Sequence, residues 1–101
     1  MNVQGKTIDM ARVAMGITTT KYDRYISQQI NAALRDLEIA GVKSAEKPDD
    51  DLIVQAVVTY CAAHPPMSPP DEKIMESYEM QKSQLMTATG YTEWGGGDDH
   101  S

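Results

Sequence analysis

The run HPPMSPP, residues 64–70, constrains this 101-residue chain more than any other stretch. Four prolines in seven residues remove four backbone donors and fix four φ angles, so no helix or sheet ladder passes through. What lies on either side must be separate elements meeting at a stiff corner. Beyond it, Ser68 reads as an N-cap, Pro69 as a first helical residue and Asp71 as a capping acid. The spacing predicts a helix over 69–87, with Ile74, Tyr78 and Leu85 on one side and Met75 near them.

Before the corner, DLIVQAVVTYCAA predicts a helix over 51–63. Asp49 or Asp50 can cap it; Ile53, Ala56, Val57 and Tyr60 face one way, and Leu52 and Val58 widen the apolar arc. Its β-branched residues make a strand the rival, and length and spacing decide for a buried helix. Further back, Tyr22, Ile26, Ile30, Ala33, Leu34 and Leu37 form one stripe of a helix over 20–40, started by a capping-box-like Thr20/Asp23 pair and stopped by Gly41. A shorter helix is expected over 7–15, capped by Thr7, with Ile8, Ala11 and Met15 on one face and Gly16 as its stop. The expectation is an all-α bundle of about four helices, residues 1–87, with an extended, flexible C-terminal docking tail, residues 88–101.

Such a chain supports one small core. It has no Phe, one Trp and seven Met, so adaptable thioethers stand in for aromatic bulk. A domain of this size gains from an oligomeric partner. Charge is split: residues 1–48 hold seven basic and five acidic residues, net +2, and residues 49–101 hold two and ten, net −8. An acidic second half repels phosphates, which argues against tight, salt-driven DNA binding.

Catalytic chemistry finds no footing. Cys61 is the only cysteine, which excludes an internal disulfide, and it fits a reducing interior. Cys61 and His64 have a spacing that could share a metal. The plainer reading has Cys61 in the core and His64 bonding helix-end carbonyls, because no second ligand pair exists. Asp98, Asp99 and His100 read as a solvated tip. Asp49–Asp51 is explained by capping and the helix dipole, since a calcium loop needs spaced oxygens and a closing Glu. No phosphate-binding, dinucleotide, nucleophile-elbow or zincin motif is present, and Gly95–Gly97 is a linker. No catalytic residue, metal ligand or cofactor is expected. No window approaches the ~18 apolar residues of a membrane span, and the N-terminus lacks a secretory signal, so the expectation is a soluble intracellular chain with no membrane partner.

The tail ends in TATGYTEWGGGDDHS. Tyr91 and the sole Trp, Trp94, either fold back on the helices or anchor in a partner's groove, where Tyr and Trp dominate binding energy.

The text LIVQAVVTYCAAH, a proline-containing break, and then YEMQKSQLMTATGYTEW resembles the head–tail connector proteins of tailed bacteriophages. In that pattern an apolar helix and a turn lead to a helix with Tyr-Glu-x-x-Lys-x-x-Leu, closed by a Thr-Gly-Tyr-Thr…Trp end. Here these positions are Tyr78, Glu79, Lys82, Leu85, Thr89, Gly90, Tyr91, Thr92 and Trp94. The break is more proline-rich than the family's, and residues 7–41 match more loosely.

The resemblance implies a structural adaptor in the virion, assembled in the host cytoplasm. It implies a homo-oligomeric ring, twelvefold to match the portal, that extends the DNA channel, helps retain packaged DNA and receives the stopper or tail-completion protein. DNA would pass without sequence-specific binding. Thr89, Gly90, Tyr91, Thr92 and Trp94 become candidate docking residues for the portal or a neighbouring subunit. Ile26, Ile30, Leu34, Leu37, Ile53, Val57, Tyr60, Tyr78 and Leu85 are expected in ring or core packing, with ring contacts from the flanks of the second and fourth helices. The resemblance moves docking ahead of fold-back. The competing reading is a small helical nucleic-acid-binding packaging or regulatory factor. Against it, the helix that would read bases carries no Lys or Arg and starts with acids.

Overall fold

The computed structural model describes residues 3–44, 46–47 and 50–88, with backbone alone at 3 and 4. The chain is all-α: helices α1 (Val3–Ala14), α2 (Asp23–Ile39), α3 (Asp51–Ala63) and α4 (Glu72–Thr87), with a 3-10 turn at Thr20–Tyr22 leading into α2. Helix α3 packs against each of the other three. That central place matches its sequence, the least polar of the four.

Helices α1 and α2 end in the same way. Gly16 and Gly41 take positive φ, 73° and 99°, which a residue with a Cβ adopts only at a cost. The turned chain lets Ile17 N–H reach the Arg12 carbonyl and Val42 N–H reach the Leu37 carbonyl, both at 2.9 Å. This is the Schellman closure, and it drives an apolar residue inward after each helix: Val42 is buried and Ile17 packs on the core. The connector that follows is pinned by Ser44, fully buried, whose hydroxyl donates to the Leu34 carbonyl at 2.6 Å.

Three expected starts are corrected. Helix α1 begins at Val3, so Thr7 is a buried mid-helix residue and not a cap. Thr19, not Thr20, caps the 3-10 turn by accepting from Lys21 N–H, and α2 starts without a side-chain cap. Asp23 is drawn away from capping by Arg12 of α1, which donates to it from Nη2 at 2.8 and 2.9 Å and from Nε at 3.1 Å. A forked, charge-assisted pair outcompetes a single cap bond, and its bonds raise the guanidinium pKa further. Helix α4 starts at Glu72 with Asp71 as N-cap, accepting from Lys73 and Ile74 N–H at 3.0 and 3.1 Å. Pro69 precedes Pro70 and is pushed out of the α region, so it cannot be the first helical residue after a Ser68 cap.

The corner itself is closed at its base: Asp71 N–H donates to the Ala63 carbonyl at 2.9 Å. Helix α4 then returns antiparallel along α3, with Tyr78 beside Tyr60 and Leu85 near Leu52. Asp50 caps α3 through bonds to Leu52 and Ile53 N–H. The core joins Ala11, Ile26, Ile30, Ala33, Leu37, Ile53, Ala56, Val57, Cys61, Tyr78 and Leu85, with Leu34 and Tyr60 half-buried against it.

Candidate functional site

The polar chemistry of the fold gathers where α4 crosses α2. Tyr78 is the largest fully buried side chain, and its hydroxyl donates to Asp36 Oδ2 at 2.6 Å. Lys82, one turn later on the same face, donates to the same oxygen at 3.0 Å and pairs with Glu79 at 3.1 Å. Spacing of four residues makes this possible, because positions i and i+4 stand one above the other on a helix.

Partial burial alone would lift the Asp36 carboxyl, but the bonds from Tyr78 and Lys82 outweigh it and hold it below its ordinary value. Partial burial likewise disfavours the Lys82 charge, and the two carboxylates outweigh that and raise its pKa. Burial, aided by the neighbouring Asp36 charge, pushes the Tyr78 phenol far up. None of the three is set up to exchange a proton near neutral pH. The cluster is a staple between two helices.

A second set joins the end of α3 to α2. Tyr25 donates to the His64 carbonyl at 2.6 Å, and His64 Nδ1–H donates to the Tyr60 carbonyl at 2.8 Å. The His64 ring stacks on Tyr60 at 4.3 Å. Cys61, one turn before, is wholly buried, and burial pushes its thiol up to about 12. His64 is thus a helix-end residue engaged with carbonyls and Cys61 a core thiol that resists ionisation. Among the described residues, no three His, Cys, Asp or Glu side chains come together as a metal-binding group, and no helix is long and apolar enough to cross a membrane.

The outward face of α3 is different. Two grooves flank it and share Leu52 and Gln55 as walls. One, about 330 Å³, lies toward α1 and includes Lys6, Met10, Val54 and Val58. The other, about 120 Å³, lies toward α4 and includes Gln81, Gln84, Leu85 and Ala88. Leu52 is half exposed, although the next residue, Ile53, is fully buried. Gln81 Oε1 is buried, and no donor among the described residues reaches it.

Set against known protein families, curated proteins and solved structures, the chain matches none.

Of the residues expected in packing, Ile26, Ile30, Leu37, Ile53, Val57, Tyr78 and Leu85 are buried, and Leu34 and Tyr60 are half-buried. Thr89, Gly90, Tyr91, Thr92 and Trp94 lie outside the described residues. Sequence reasoning missed Asp36, Arg12, Ser44 and Val54. Asp36 could have been found, because it sits one position before Leu37 on the edge of the α2 stripe, where a charge faces a packed neighbour.

Proposed function

We propose that this chain is a structural head–tail connector of a tailed bacteriophage. It would form a ring beneath the portal, extend the DNA channel, help retain packaged DNA and offer the attachment site for the stopper or tail. One observation carries the reading. Of Tyr78, Glu79, Lys82 and Leu85, the part of the family-like pattern that falls on α4, three fasten α4 to the bundle, and exposed Glu79 pairs with Lys82 on the same helix. The same pattern then runs straight into Thr89–Trp94, so it ties a rigid helix to an aromatic segment suited to anchoring in a portal groove.

Other features support it. A head-to-tail ring needs apolar surface left over after folding, and exposed Ile39 on α2 with Met80 and Met86 on α4 supply some. A channel wall that lets DNA pass should not attract it, and the second half of the chain is acidic. The polar clusters serve the fold, which suits an assembly part without a reaction. The ring contacts fall to the flanks of α2 and α4, and the portal contact to Tyr91 and Trp94.

Loss of the chain from an infecting phage tests this. The expected result is heads that package DNA, fail to join tails and lose their genome. Normal yields of infectious, tailed particles would overturn the reading. A salt-sensitive, sequence-specific shift of DNA by the purified chain would favour the nucleic-acid-binding alternative.

A further inference from the structure

The groove toward α1, about 330 Å³, carries opposite charges on its two walls, Lys6 on α1 and Asp51 on α3. Both are exposed, and among the described residues neither forms an ion pair. The apolar side chains around them are uncovered as well: Val13 is 79% exposed, and Met10 and Leu52 meet solvent too. We propose that a second copy of this chain covers this face. In the resulting two-fold dimer, α1 of each copy lies over α3 of the other, and Lys6 of each meets the partner's Asp51. This goes beyond the connector reading, whose ring contacts fall on α2 and α4.

The two walls run in the same sense. Arg12, in the last turn of α1, pairs with Asp23 at the start of α2. Tyr25, two residues on, donates to the carbonyl of His64, just past the end of α3. Both helices thus end beside the start of α2, which leaves Lys6 and Asp51 at the same end of the groove. A two-fold axis along the groove keeps that sense and exchanges the walls.

Spacing then sets the register. Met10 lies four residues after Lys6, as Gln55 does after Asp51; Val13 lies seven after Lys6, as Val58 does after Asp51. Steps of four and seven keep each trio on one stripe of its helix. Seven residues rise about 10 Å on either helix, so a single pairing matches all three levels. Charge meets charge at one end, Met10 stands beside Leu52 and Gln55 in the middle, and Val13 rests on Val58 at the other end.

Electrostatics favour the same pairing. Helix α1 has no acid in its first turn, so the positive end of its dipole is uncompensated and Lys6 adds to it. The partner's Asp51 brings a carboxylate to that end. A foreign partner would need both signs and an apolar side chain at the same spacing. The chain's own face has them, and two-fold symmetry uses each contact twice.

Sedimentation of the full chain without portal, over a range of concentrations and at low and high salt, tests this. The expected result is a monomer–dimer equilibrium that weakens as salt rises. Lys6→Glu and Asp51→Lys each set like charges together at both contacts, so either variant alone should dimerise about tenfold more weakly or worse. Mixed in equal amounts they should pair as the wild type does, because every contact is again between opposite charges. Val13→Glu should abolish the dimer with far-UV helicity unchanged. Rescue in the mixture also shows that both variants are folded. A monomer at every concentration overturns the proposal, and so does a dimer that all three substitutions leave intact. A mixture that associates no better than its components overturns it too. Growth past the dimer that Lys6→Glu abolishes would assign the face to a head-to-tail contact and reject the two-fold. No portal enters the experiment, so none of these failures touches the connector reading.

Discussion

Leu52 and Ile53 are neighbours of similar size on one helix, yet half of Leu52 meets solvent and none of Ile53 does. The inner face of α3, with Ile53, Ala56, Val57 and Cys61, is sealed by α2 and α4. The outer face, with Leu52 and Gln55 at its middle, carries one groove toward α1 and another toward α4. A helix apolar nearly all round is expected to be covered nearly all round. Among the described residues only the inner half is. The inner face explains why the chain folds; the outer face adds little to folding.

The largest effect should come from truncating each neighbour in turn. Ile53→Ala opens a cavity in the sealed face and should cost about 2–5 kcal/mol, whereas Leu52→Ala should stay within about 0.5 kcal/mol. Urea unfolding of both variants measures the difference. Equal losses would erase the distinction between the faces.

The polar staple that holds α4 over the inner face comes next. Asp36→Ala leaves the buried Tyr78 hydroxyl without its acceptor and Lys82 with Glu79 alone, costing about 1–3 kcal/mol. Tyr78→Phe combined with Asp36→Ala should lose less than the two single changes summed, because they break one interaction. Additive losses would mean that the two groups act independently.

Alkaline pH sharpens the contrast, since the raised pKa values sit on the sealed side. Cys61 moves from an ordinary 9.0 to about 12, and Tyr78 is pushed up from 10.0. Both folded values lie above the unfolded ones, so this stabilisation is complete below the unfolded values and drains as pH rises past them. Each group should remove up to about 1.4 kcal/mol per pH unit, Cys61 first and Tyr78 from one unit later. Denaturation at stepped pH tests this, and Cys61→Ala should delete the earlier limb. On the acid side the lowered Asp36 pKa works in reverse: its stabilisation holds above the ordinary carboxylate value and drains as pH falls through the folded one.

Much of this was legible in the residues. The 3.6-residue stripe from Tyr22 to Leu37 and the stops at Gly16 and Gly41 place their elements well, because periodicity and positive φ are local properties. The bounds of α3 were also readable, since Asp50 and the first proline bracket it. What escaped depends on partners distant in the chain. Nothing local says that Asp23 will serve Arg12 instead of a helix cap, or that Asp36 will meet Tyr78, 42 residues on. The start of α4 was misread despite a local rule: a residue before proline leaves the α region, which excludes Pro69 as a first helical residue and with it a cap at Ser68. The open side of α3 was least legible at Leu52, which is as apolar as the sealed Ile53 beside it.

The smallest expected stability effect belongs to Leu52→Glu, which should change unfolding by less than about 0.5 kcal/mol while placing a charge on the wall both grooves share. It is therefore the variant that alters the open face while leaving the fold intact.

Electron microscopy of portal rings mixed with the full chain tests the central claim most directly. The account predicts an added ring of density beneath the portal that continues its channel, lost with Trp94→Ala while helicity is unchanged. Portal rings that look the same with and without the chain, across saturating concentrations, would contradict it.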